Sequence, residues 1–264
     1  MSRSRARSRG SVVVARVVLV VCILAALQAA VITGILSPLA VATPTSTVWA
    51  LVQVVFGSTM WASLALTLVN WLVGVVLAAL VAIPLGLVLG SNDTVYAAFR
   101  VPIEFMRTVP AVAILPLALL VLGVTAKMAI LLVFIGALWP ILLQSMYGFH
   151  QIDPVLRDVV RSYRLRRVDR FTRMVVPTAA PFIATGLRIA LTVGLLLAVS
   201  AELIAGVPGL GSEVATAQQS SQIPQMYAYI TIIACLGTAA NIATQRVERV
   251  LLRWHPSRRR EVTA

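Results

Sequence analysis

Long runs of apolar residues, separated by short polar or charged stretches, dominate the pattern of this chain. An α-helix rises about 1.5 Å per residue, so about 20 apolar residues cover the roughly 30 Å hydrocarbon core of a bilayer. Six runs reach this length, and we therefore predict an all-α polytopic membrane protein. The predicted spans are residues 14–36, 60–90, 95–122, 127–149, 177–205 and 226–251.

The third predicted span contains three prolines, at positions 102, 110 and 116. Proline removes a backbone donor and disturbs the helix before it, so this span should kink or split. Broken backbone at membrane depth must be buried in protein or line a cavity. Pro110 and Pro116 are therefore candidates for the translocation path, and a tolerated kink is the alternative interpretation.

The composition excludes several classes of protein. The chain is 59% hydrophobic and 12% charged, with a mean hydropathy of +0.94, whereas a soluble domain carries about 25% charged residues. Cys22 and Cys235 lie far apart in apolar runs and lack the close spacing of a metal or redox site. The sequence therefore predicts neither a metal site nor a cofactor.

The net charge of +13 is unevenly distributed along the chain. Arginine-rich stretches occur on one side of the predicted topology, whereas the connections on the other side contain only Lys127. The positive-inside rule then predicts a basic cytoplasmic arm at 1–13, a membrane domain at 14–254 with a cytoplasmic loop at 150–176, and a basic cytoplasmic tail at 255–264. Lipid headgroups account for this charge, and we predict no nucleic-acid partner.

The loop at 150–176 predicts a short amphipathic helix across the cytoplasmic end of the bundle. Asp153 is a suitable N-cap and Pro154 suits the first helical position. Apolar residues follow on one face and arginines beside them, with a second short helical piece near 168–175. Three interpretations remain open from the residues: the helix lies on anionic lipid, packs on its own bundle, or docks a cytoplasmic subunit.

The same loop resembles the cytoplasmic "EAA" loop of permease subunits in binding-protein-dependent ABC importers. That pattern is Glu-Ala-Ala, three residues, Gly, nine residues, Ile, one residue and Leu-Pro. The corresponding positions here are Asp158-Val159-Val160, Arg164, Met174 and Val176-Pro177. Residues 102–110, 114–116, 177–188, 201–203, 209–211 and 246–249 also look, in order, like the nitrate/sulfonate/taurine-type permeases.

This resemblance implies a six-helix type I ABC importer transmembrane fold in the bacterial plasma membrane, with both termini cytoplasmic. It further implies a second permease copy, cytoplasmic ATP-binding subunits and an extracytoplasmic solute-binding protein. The loop at 154–167 would be the coupling helix, with Asp158, Arg161, Tyr163 and Arg164 facing the ATPase. A small anion such as nitrate, a sulfonate or taurine would be the solute.

The chain contains no phosphate-binding loop of its own, so we predict that it is not an enzyme and that a partner hydrolyses ATP. The alternative to an importer is a membrane scaffold or channel subunit that works without an ATPase.

Charged residues inside predicted spans are functional candidates by default. Arg188 could attract an anion or pair with a neighbouring helix, and Glu202 could serve a gate, an inter-subunit contact or local hydrogen bonds. Glu104 and Arg107, three residues apart, predict a structural ion pair. Gly86 and Gly90 predict close helix packing rather than a solute contact.

Overall fold

The computed structural model describes residues 9–153, 155–156, 158, 162–163 and 166–251. All regular elements in that part of the chain are helical. In order they are α1 (Arg9–Ile32), α2 (Pro44–Phe56), α3 (Ser58–Gly90), α4 (Asp93–Met106), a 3-10 helix (Ala111–Ile114), α5 (Leu115–Leu122), α6 (Ala126–His150), α7 (Arg167–Arg170), a π-helix (Phe171–Val175), α8 (Val176–Ala205), α9 (Leu210–Gln219) and α10 (Ile223–Leu251).

The predicted spans agree with the long helices of the structure. Five helices in the described ranges are long and apolar enough to cross a membrane, namely α1, α3, α6, α8 and α10. The third predicted span is a pair of shorter helices bent by 71° at a break. Six spans are therefore present when the bent pair counts as one. Helix α1 begins at Arg9, inside the predicted basic arm, and the predicted tail at 255–264 lies outside the described residues.

The break in the third span follows from the positions of its prolines. Helix α4 contains Pro102 and ends at Met106, and a four-residue connection leads to Pro110, which precedes the 3-10 helix in an extended conformation. Pro116 lies in the first turn of α5, where a missing backbone N–H costs no intrahelical hydrogen bond. The predicted interruption is thus real, and it is located at residues 107–110.

Helix α6 forms the centre of the bundle, between α3 and α8. Helices α3 and α6 approach so closely that a Cβ added at Gly86 would lie 2.6 Å from the Ser145 Cβ, and one at Gly90 would lie 3.0 Å from the Met146 carbonyl oxygen. The prediction that these glycines permit close helix packing is confirmed. Helix α8 runs antiparallel to both, because its start lies near the end of α6.

The first helix packs differently from the others. Helix α1 is largely exposed along its length and contacts mainly α2, to which Gln28 connects it through Thr45. The Thr43 side chain caps α2, whose 13 residues are too few to span a bilayer. Helix α2 packs on α10, so it belongs to the rim of the bundle.

Candidate functional site

Three regions carry the polar groups that were predicted to function, and helix α8 connects them. We call the end of the bundle near Ile152, Met174 and Val175 the loop end, and the opposite end, near the last turn of α8, the Glu202 end. A polar middle region lies between them.

The loop end holds the predicted coupling segment between two buried anchors. Ile152 before the segment is 2% exposed and Met174 after it is 3% exposed. Asp153 accepts a hydrogen bond from the Val155 backbone N–H at 2.8 Å, which is the predicted N-cap geometry. Val155 is 67% exposed. The residues at both ends of the segment are therefore buried in the bundle, whereas the apolar side chain of Val155 faces away from the bundle.

The predicted coupling residues are only partly within the described residues. Asp158 is exposed in helical backbone, and Tyr163 is 77% exposed. Arg161 and Arg164 lie outside the described residues. The second helical piece expected near 168–175 is present as α7 and the π-helix, which run directly into α8.

Arg188, in the middle region, pairs with another helix. Its guanidinium forms a salt bridge with the carboxylate of Glu248 on α10, and the two side chains are 36% and 13% exposed. Arg188 also lines a cavity of about 390 Å³ between α3, α8 and α10, together with Thr192 and Asn241. Of the two alternatives left open by the sequence, the structure thus contains the pair with a neighbouring helix.

The predicted ion pair between Glu104 and Arg107 is wrong. Glu104 pairs with Arg100 instead, at 3.4 Å between Nε and Oε1, one helical turn earlier on α4. The physical reason is the end of the helix: α4 stops at Met106, and Arg107 is the capping residue. Residues 100 and 104 share a helix face as an i,i+4 pair, whereas Arg107 already belongs to the break.

Arg107 and Pro110 line a second cavity, of about 320 Å³, beside the break. Its other walls come from α6, through Trp139 and Pro140, and from α8, through Ile189. Pro116 does not line this cavity.

Glu202 is fully buried at the Glu202 end, with an exposed fraction of 0%. Its Oε2 accepts hydrogen bonds from the Thr67 hydroxyl at 2.9 Å and from the Gly211 N–H at 3.0 Å. The Thr67 hydroxyl in turn accepts from the Leu210 N–H at 2.8 Å. The carboxyl group therefore joins α8, α3 and the start of α9, and the local hydrogen-bonding interpretation is confirmed.

Sequence reasoning missed Thr67 and Glu248, although both left a signal. Ser63, Thr67 and Asn70 are polar residues spaced by four and three positions in an otherwise apolar span, so they share one helix face; all three are buried. Glu248 is the single acidic residue of the last predicted span. A search for polar residues inside spans would have found them, but not their partners.

Sequence comparison identifies a family of known proteins. Residues 82–253 match the family model described as "Binding-protein-dependent transport system inner membrane component". The nitrate import permease protein NrtB of Synechocystis is 34% identical over 165 residues, which are 62% of this chain and 60% of that protein. The putative aliphatic sulfonates transport permease SsuC of Bacillus subtilis is 27% identical over 224 residues, which are 85% of this chain and 81% of that protein.

The putative aliphatic sulfonates transport permease SsuC of Escherichia coli is 34% identical over 155 residues. This alignment, like that with the Synechocystis permease, spans about 60% of the relative's length.

Solved structures share the fold. The inward-facing MetNI methionine ABC transporter contains a chain that superposes with a TM-score of 0.58 at 20% identity, covering 77% of this chain and 96% of that one. A chain of an amino acid ABC transporter crystallised with histidines gives a TM-score of 0.59 at 17% identity, covering 77% and 97%. The predicted fold, that of type I ABC importer transmembrane subunits, is confirmed.

Proposed function

Because the chain belongs to the family of binding-protein-dependent transport system inner membrane components, we propose that it is the membrane-spanning permease subunit of an ATP-driven importer. Its spans would form the translocation pathway, together with those of a second permease copy. ATP would be hydrolysed by separate cytoplasmic subunits, and an extracytoplasmic binding protein would deliver the solute. The loop end would face the cytoplasm, since it lies in the arginine-rich side of the chain.

The observation that carries this proposal is the anchored, outward-facing segment at the loop end. Burial of Ile152 and Met174 ties the segment to the bundle, while Val155 and Tyr163 remain 67% and 77% exposed. Exposed apolar side chains at a water-facing end of a membrane protein are typical of a surface that a partner covers. In this family the partner would be an ATPase, and the segment at 154–167 would be its docking helix.

Coupling would work by a shift between two packings of the bundle. ATP binding would bring the two ATPases together and move the docked segments, and α7, the π-helix and α8 form a continuous path from each segment into the bundle. A shift of this kind requires contacts that differ between the two states. The solute would enter from the binding protein in the outward-facing state.

The solute of this importer would be a small anion, such as nitrate or a short sulfonate. Nitrate and sulfonate permeases are among the relatives, and Arg107, which forms no salt bridge among the described residues, lines a cavity at the middle of the bundle. Cations at membrane depth favour anions over neutral or cationic solutes.

The test is purification of the tagged chain from its own membrane in mild detergent, followed by mass spectrometry and an ATP hydrolysis assay. We expect a stoichiometric ATP-binding subunit that is lost in Asp158→Lys, because the reversed charge lies in the docking segment. Lys127→Glu is the matched control, since it reverses an exposed charge at the start of α6, at the opposite end of the bundle. A chain that purifies alone at several detergent strengths would contradict the proposal.

A further inference from the structure

The cavity beside the broken span is at about half the depth of the bundle. Pro140 lies 14 residues after the start of α6 and 10 before its end, which corresponds to about 21 and 15 Å along the helix. Ile189 is 13 residues after the start of α8 and 16 before its end, or about 20 and 24 Å. Both helices thus contribute their middle turns to the walls, and the cavity lies far from either end of the bundle, while Arg107, Val109 and Pro110 on its rim are exposed.

Arg107 gives this cavity a positive charge that is not neutralised within the described part of the chain. Two other arginines of the bundle are neutralised: Arg100 by Glu104 and Arg188 by Glu248. Among the described residues, the guanidinium of Arg107 has no hydrogen-bond or ion-pair partner, and the hydrogen bonds of this residue are made by its backbone N–H.

A cation without a counter-ion is costly at membrane depth unless it faces water or an anion. The walls around Arg107 include the apolar side chains of Val109, Ile189 and Val193, which lower the local dielectric and strengthen the attraction between the guanidinium and an anion. A guanidinium also presents paired N–H donors that suit the oxygens of a planar or tetrahedral oxyanion.

We propose that Arg107 binds the translocated anion at the break of the third span, with Pro110 and Trp139 as walls of the site. The anion class is a small monovalent oxyanion, bare or with a short apolar tail, because the cavity of about 320 Å³ combines one charge with apolar walls. Arg188, already paired with Glu248, has a structural role instead. This inference rests on the proposed function, since it supplies the solute site of the importer.

The experiment uses the whole 264-residue chain with Cys22 and Cys235 replaced by serine. Val109, which lines the cavity and is 46% exposed, is replaced by cysteine. Two thiol reagents of similar size are compared: 2-sulfonatoethyl methanethiosulfonate, which carries the sulfonate group itself, and the cationic 2-(trimethylammonium)ethyl analogue. The ratio of their reaction rates measures the electrostatic potential at the cavity.

Arg107→Gln should lower the ratio of the sulfonate rate to the ammonium rate about tenfold, because a unit charge within about 8 Å acts in opposite directions on the two reagents. Arg107→Lys should keep most of the ratio. The double variant Arg100→Gln/Glu104→Gln is the matched control and should leave the ratio unchanged, since it removes an arginine of the same helix together with the carboxylate that neutralises it. An unchanged ratio in Arg107→Gln, or no reaction of either reagent at Val109→Cys, would overturn the assignment.

The same preparation separates this inference from the proposed function. If the ATP-binding subunit copurifies but the ratio does not respond to Arg107, the importer stands and the anion site at Arg107 is refuted. If the ratio responds but no ATP-binding subunit copurifies, the site attracts anions in a protein that is not an importer, and the role of Arg107 in import is refuted with the proposed function.

Discussion

Glu202 and Gly209 pack so tightly that a methyl group at position 209 has no room beside the carboxyl group. A Cβ added at Gly209 would lie 2.2 Å from Glu202 Cδ and 2.3 Å from its Oε1. The backbone of Gly209 is extended, with φ 163°, so alanine would adopt it without backbone strain. The cost of Gly209→Ala is therefore steric, and its origin is one identifiable side chain.

The size of this steric cost can be isolated by comparing Gly209→Ala alone, Glu202→Ala alone and the two substitutions together. Overpacking of this kind costs about 2–3 kcal/mol. Glu202→Ala leaves the Gly211 N–H without its acceptor, at about 1–3 kcal/mol when buried, whereas the Thr67 hydroxyl can still donate to the Ser63 carbonyl oxygen at 3.1 Å. In the Glu202→Ala background, however, the vacated space accommodates the new methyl group, so Gly209→Ala should cost less than about 0.5 kcal/mol there. The predicted coupling between the two sites is about 2 kcal/mol.

The assay is thermal unfolding of the purified protein in detergent, followed by tryptophan fluorescence. At about 2–4 °C per kcal/mol for a chain of this size, Gly209→Ala should lower Tm by roughly 5–8 °C alone and by about 1 °C in the Glu202→Ala background. Gly211→Ala is the matched control, because its Cβ would lie 2.5 Å from the Val199 carbonyl oxygen, which Glu202→Ala does not remove. Equal losses for Gly209→Ala in both backgrounds would refute the reasoning.

Two further predictions concern helix contacts in the same assay. Gly86→Ala should lower Tm by about 5 °C or more, because the new Cβ would meet both the Ser145 Cβ and, at 2.7 Å, the Leu142 carbonyl oxygen; an unchanged Tm would mean that α3 and α6 are farther apart than described. Glu248→Gln should destabilise the protein by about 1–3 kcal/mol, because the Arg188 guanidinium loses its carboxylate partner. The same substitution should cost less in the Arg188→Gln background, and strictly additive losses would contradict the ion pair.

The spans were predictable from sequence because hydropathy depends on residues that are neighbours in the chain. A run of about 20 apolar residues can satisfy its backbone in lipid only as a helix, so the six spans follow from composition and length. The location of the break was predictable for a similar reason, because a proline disrupts the helical turn in which it lies.

The partners of the charged residues were not predictable in the same way. Glu104 has two candidate partners in the sequence, Arg100 four positions before it and Arg107 three positions after it. Which of them pairs with Glu104 depends on where α4 ends. Glu202 lies 135 residues from Thr67, and Arg188 lies 60 residues from Glu248. Such pairs are fixed by helix packing, which no local pattern in the chain specifies.

Helix α8 is held at one end, at Glu202, so a movement of its other end would tilt the helix about that point. Hydrogen bonds to α3 and α9 hold the Glu202 end, whereas the other end continues through the π-helix into α7 at the loop end. Ile189 lies about 20 Å and Val176 about 39 Å from Glu202 along the axis. A tilt of about 10° would thus displace the loop end of α8 by about 7 Å and the wall beside Arg107 by about 3 Å. A movement of the loop end would therefore reach the wall beside Arg107 at about half its size, so the position of this cavity along α8 sets how far its wall can move.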